Sequence, residues 1–82
     1  MEAMPRYDDK ITAFHKSVTR EPSGRKVVRT SDFVRNLAEL NHHLSLAEAN
    51  RWVRTYARTY RDASTYEGED RIWFQFNPNG GI

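Results

Sequence analysis

"SLAEANRWVRTYARTYR", residues 45–61, is the stretch that organises this chain. At about 100° per residue, Leu46, Ala49, Val53, Tyr56, Ala57 and Tyr60 fall on one side of a helix. Arg51, Arg54, Arg58 and Arg61 fall on the other, spaced three, four and three. Asn50 and Thr55 are placed beside the arginines. Ser45 followed by Glu48 is a capping box: the hydroxyl accepts the third helical N–H while the carboxylate accepts the cap's own N–H. The spacing therefore predicts one amphipathic helix over 45–61, apolar inside and guanidinium-bearing outside.

Just upstream, Phe33, Val34, Leu37, Ala38 and Leu40 form the inner face of another helix, with Thr30 or Ser31 as its cap. It fades at "NHHL", 41–44, because Asn and His are poor helix formers and Asn tolerates the left-handed conformation. Two helices joined by only about four residues turn sharply against each other, which is helix-turn-helix spacing. Nearer the N-terminus, Pro5 suits a first helical position. Tyr7, Ile11, Phe14 and Val18 then recur at helical spacing, so a helix is expected over roughly 5–18. "EPSG", 21–24, is a type I turn, and "KVVRT", 26–30, is a short β-branched strand.

Beyond Arg61 the period changes to two. Ile72, Phe74 and Phe76 alternate with Arg71, Trp73 and Gln75, behind a turn at Glu67–Asp70. This is a half-buried strand with the three aliphatic and phenyl residues expected inward, and "RDASTY", 61–66, is its hairpin partner. Residues 1–4 are expected to be disordered, 5–77 to form one domain, and 78–82 to be a flexible tail.

Totals set the limits. Eighty-two residues with 38% apolar and 29% charged composition can build one small core. There is no cysteine, so disulfides and thiolate metal sites are excluded. No apolar run approaches the ~20 residues of a membrane span, and a cytoplasmic location without membrane contact is the expectation. Ten of the 13 basic residues are Arg, whose planar fork matches phosphate and guanine edges. The charge is segregated. Residues 45–61 carry four Arg against one Glu, and residues 20–35 carry five bases against two acids. Asp62, Glu67, Glu69 and Asp70 make residues 62–70 wholly acidic.

In order, the elements are helix, short strand, helix, tight turn, long helix and β-hairpin. That α+β order over roughly residues 5–77 resembles the winged helix-turn-helix superfamily of DNA-binding domains: three helices with a short strand and a C-terminal β-hairpin. The resemblance implies that helix 45–61 enters the major groove and that residues 66–71 form the wing tip. It implies a small duplex-DNA-binding protein, an accessory regulator of transcription or recombination, acting as a dimer or on a tandem site. Arg51, Arg54 and Thr55 would reach base edges. Arg35, Arg58, Arg61, Arg25, Lys26 and Arg29 would meet phosphates.

An acidic wing fits phosphate badly, so a second function stays open: a protein-binding adaptor or inhibitor on the same scaffold. Its interface would be Tyr66, Glu67, Glu69, Asp70 and Trp73, with Trp73 as an exposed aromatic anchor. Adjacent His42 and His43 diverge, and plain solvent exposure is expected for both rather than a metal site. No nucleophile, acid–base pair or Gly-rich phosphate loop is legible, so neither an enzyme nor a cofactor is expected.

Overall fold

The computed structural model describes residues 7–76; the expected disordered N-terminus and flexible tail lie outside the described residues. Helix α1 spans Tyr7–Ser17. Its Ala13 and Phe14 are fully buried, with Ile11 and the following Val18 partly buried beside them. Ser17 ends it, donating its hydroxyl to the Ala13 carbonyl at 2.8 Å. A two-residue strand, β1 (Thr19–Arg20), follows and pairs antiparallel with β2 (Lys26–Arg29). The expected turn at 21–24 connects them: Gly24 N–H donates to the Glu21 carbonyl at 2.7 Å, and Gly24 sits at φ +91°. This is a type I turn closed by a left-handed residue, a standard hairpin connection. Strand β1 is too short for periodicity to reveal it.

Helix α2 (Thr30–Glu39) starts directly after β2. Neither Thr30 nor Ser31 caps it by its own side chain. Instead the carboxylate of Asp70, far along the chain, accepts the Ser31 N–H at 2.9 Å. The other end is a Schellman motif. Asn41 adopts φ +66°, the Asn41 N–H reaches the Ala38 carbonyl, and the His42 N–H reaches that of Leu37. Residues 40–45 then lead to helix α3 (Leu46–Tyr56). Both halves of its capping box are formed, with Ser45 N–H to Glu48 Oε1 at 2.8 Å and Glu48 N–H to Ser45 Oγ at 3.1 Å.

Helix α3 ends at Tyr56, not at 61. Ala57 leaves the helical region, Thr59 and Tyr60 are β-formers, and Tyr60–Asp62 becomes strand β3. Ladder pairing to β4 (Ile72–Gln75), together with burial of Tyr60, outweighs the helical periodicity of the arginines. The sheet order is β1-β2-β4-β3, all antiparallel. The fold is thus a small α+β domain with three helices over one face of a four-stranded sheet.

The core is aromatic. Phe14 meets Phe33 and Tyr60 edge-on at 5.4 and 5.0 Å, and Trp52 lies 5.3 Å from Phe33, separations at which aromatic pairs attract. The alternation of β4 is as expected, but its faces are exchanged. Trp73 points into the core at 3% exposure while Ile72 and Phe74 are only half-buried and Phe76 is 43% exposed. Burying the large indole removes more apolar area than a phenyl ring would, and its N–H finds partners inside. No helix among the described residues is long and apolar enough to cross a membrane.

Candidate nucleic-acid interface

The capped start of α3 fixes which side chains turn outward. Ala49, Asn50, Trp52 and Val53 are buried, so Glu48, Arg51, Arg54 and Thr55 face solvent. The Thr55 hydroxyl donates back to the Arg51 carbonyl at 2.9 Å, and its oxygen keeps accepting capacity. Glu48, held by the Ser45 N–H and hydroxyl, has its carboxyl below the usual range, which keeps it ionised at the positive helix end.

Arg58 and Arg61 are not on α3. Arg58 lies in the turn after it and Arg61 on β3. The tertiary structure nevertheless gathers all four arginines along one trough, Arg51 and Arg54 between α3 and the β3–β4 hairpin, and Arg58 and Arg61 where it opens at the β3 edge of the sheet. A hollow of about 380 Å³ is lined by Arg51, Arg54, Asp62, Glu69 and Arg71, among others. An adjoining hollow of about 460 Å³ is lined by Arg54, Arg58, Arg61, Asp62 and Phe76, among others. Arg54 and Asp62 belong to both.

The acids in the trough are unequal. Asp62 takes the Arg71 Nε at 2.7 Å and the Ser64 N–H at 2.9 Å. Partial burial works against its charge, but these hydrogen bonds win and hold its carboxyl below the ordinary value. Arg71 also donates to the carbonyls of Tyr66 and Gly68, both at 2.9 Å, and so pins the hairpin loop. Gly68 sits at φ +126°, where only glycine is unstrained. Asp62 and Arg71 cancel, leaving Glu69 against Arg51, Arg54, Arg58 and Arg61. None of those four makes a salt bridge to a carboxylate among the described residues.

The other basic residues expected on phosphate are engaged elsewhere. Arg25 pairs with Glu21 at 2.9 Å, Arg35 with Asp32 at 3.0 Å, and Arg29 with Asp70 at 3.5 Å. Lys26, half-buried, lines a separate hollow with Arg20 and Arg25 at the β1–β2 turn. The chain matches no protein-family model, no curated protein and no solved structure.

Three expectations are corrected by the geometry. Trp73 cannot anchor a partner, because it is buried with its Nε1 donating to Thr30 Oγ1 and Asn50 Oδ1, each at 3.2 Å. Asp70 is not a free wing-tip acid: it caps α2 and faces Arg29. Tyr66, Glu67 and Glu69 remain exposed at the loop, with the Tyr66 hydroxyl donating to the Asp70 carbonyl. Asn50 does not stand beside the arginines in solvent. It is 4% exposed, accepts the Thr30 hydroxyl at 2.6 Å, and donates to the Glu69 carbonyl at 2.6 Å. The periodicity carried this signal, since Asn50 lies within about 60° of Leu46, Val53 and Ala57 around the helix.

His42 also departs from expectation. Its side chain is only 11% exposed, with Nε2 3.5 Å from Asp9 Oδ2, whereas His43 is exposed. The Schellman turn and the partly buried Leu44 after it place His42 against α1. Among the described residues no group of three His, Cys, Asp or Glu could hold a metal.

Proposed function

We propose that this chain is a small duplex-DNA-binding protein of the winged helix-turn-helix type, laying α3 into the major groove. The observation that carries the proposal is the trough itself. Arg51, Arg54, Arg58 and Arg61 converge there without salt bridges to described carboxylates, whereas Arg25, Arg29, Arg35 and Arg71 are each committed to an acid of the fold. Unneutralised guanidinium groups gathered on one concave face raise the local potential and invite a polyanion. The eleven residues of α3 span about 16 Å, and the exposed Arg51, Arg54 and Thr55 reach base edges from it. Arg58 and Arg61, displaced onto the following turn and strand, meet the flanking phosphates. Regulation of transcription or recombination is the role such a module serves, on paired half-sites.

Burial of Trp73 removes the aromatic anchor that an adaptor would need, and Asp70 is engaged inside the fold, so a protein-binding role is not favoured. The test is a fluorescence anisotropy titration with mixed-sequence duplex across salt. Neutralising about five phosphates gives a log–log slope near −4 to −5. Arg51→Ala and Arg54→Ala lower affinity for a preferred site by about 1–3 kcal/mol and flatten its sequence preference. Arg58→Ala and Arg61→Ala weaken every duplex alike. Absence of binding at low salt refutes the proposal.

A further inference from the structure

The sheet has a second face, turned away from the helices. Val28, Tyr60 and Trp73 join all three helices in one core cluster. Side chains alternate along a strand, so the register sends Val27, Arg29, Arg61, Ile72 and Phe74 to the opposite side. There two phenyl rings sit two residues apart on β4 and its end, Phe74 half-buried and Phe76 43% exposed. Each ring carries a guanidinium over it. Arg25 lies 4.6 Å from the Phe74 centroid and Arg61 4.3 Å from that of Phe76.

We propose that this outer sheet face binds an unpaired nucleic-acid strand, with successive bases stacked on the Arg25–Phe74 and Arg61–Phe76 pairs. A guanidinium plane stacks on a base as readily as on a ring, and here each guanidinium already lies over a phenyl ring. Arg25 is held further by Glu21. Residues two apart on a strand are about 6.8 Å apart, twice the ~3.4 Å rise of bases stacked in a duplex strand. Only an extended, unstacked strand meets both platforms base by base. A protein partner would have to displace the arginines to reach the rings, and a second copy would bring Arg25, Arg29 and Arg61 against themselves. A base uses the surface as it stands. The face holds three arginines against Glu21 and Asp70, so stacking rather than charge supplies the affinity, and the salt slope is shallow. The face meets the duplex-binding trough at Arg61 and Phe76, which also line its outer hollow, while Arg25 and Phe74 lie outside it; neither proposal depends on the other.

The test is anisotropy of labelled oligo(dT) and oligo(U), beside the duplex, with wild type, Phe74→Leu and Phe76→Leu. Both variants keep an apolar side chain and remove the ring; Phe76 is exposed enough that its replacement leaves folding intact. Each lowers single-strand affinity at least about fivefold, and Phe74→Leu leaves duplex affinity unchanged. Arg25→Lys keeps the charge and loses the plane, and it also weakens the single strand. Binding of either oligonucleotide supports the proposal, and their ratio tells which sugar the face admits. Failure of wild type to bind both at low salt overturns it, whatever the duplex does. So does wild-type affinity in both Leu variants, or a parallel loss of duplex and single strand in Phe74→Leu.

Discussion

Asn50→Ala separates what the fold demands of Asn50 from what the helix pattern suggested. Asn50 joins three parts of the molecule: it accepts the Thr30 hydroxyl at the start of α2, accepts the Trp73 indole N–H from β4, and donates to the Glu69 carbonyl of the hairpin loop. In Asn50→Ala the indole N–H keeps Thr30 Oγ1 at 3.2 Å, and the Thr30 hydroxyl can turn to the Arg71 carbonyl at 3.1 Å. The Thr30 hydroxyl then exchanges its 2.6 Å acceptor for a longer one, and the bond to the Glu69 carbonyl at 2.6 Å is lost outright. A group left unpaired costs about 1–3 kcal/mol, so destabilisation is about 2 kcal/mol. That is a large share of the total for a domain of this size, given about 0.05–0.15 kcal/mol per residue.

Urea unfolding followed by Trp fluorescence reads the change directly. With a slope of about 1 kcal/mol/M, the midpoint falls by about 2 M. Asn50→Asp falls further, because it keeps the acceptor, loses the donor, and sets a carboxylate against the Glu69 carbonyl. A midpoint shift under about 0.5 M in Asn50→Ala, accompanied by lost duplex preference, refutes the buried hub and restores Asn50 as a groove-facing residue.

Asp70→Ala removes the acceptor at the start of α2 and costs about 1 kcal/mol by urea unfolding, whereas Glu67→Gln and Glu69→Gln stay within about 0.5 kcal/mol; equal effects at all three sites contradict the cap. The lowered carboxyl of Asp62 means that the unfolded chain binds more protons there as acid is added. Its stabilisation is present above the ordinary value of 3.8 and is lost as pH falls through the lower folded value. Asp62→Asn therefore flattens the decline in urea midpoint between pH 5 and pH 3, and an unchanged decline excludes this linkage. Ser45→Ala removes the side-chain hydrogen bond that depresses the Glu48 carboxyl and leaves the bond from the backbone N–H without the hydroxyl's reciprocal hold. Helix stability falls by about 1 kcal/mol, and an NMR titration of Glu48 moves back toward 4.5; a Glu48 titration identical to wild type shows that the box does not form in solution.

Local chemistry alone determined much of this protein. The capping box at Ser45 and Glu48, the turn at 21–24, the left-handed Asn41 and the period-two strand at 72–75 each depend on residues within a few positions of one another, so neighbouring side chains and backbone preferences suffice to specify them. The exposure of Arg51 and Arg54 follows from the same helical period. What needed the tertiary structure was every choice between two locally acceptable states. Arg58 and Arg61 continue the helical stripe perfectly well, yet pairing of Tyr60–Asp62 with Trp73–Gln75 takes them out of the helix. Either face of β4 could have been the inner one. Trp73 wins because Thr30 and Asn50, from two different helices, meet its indole N–H in the core, while Arg25 and Arg61 cover the phenyl rings left outside. Asp70 reads as a surface acid until α2 is placed beside it. In each case the deciding partner lies beyond the reach of local backbone preference, and its interaction energy exists only after the chain has folded.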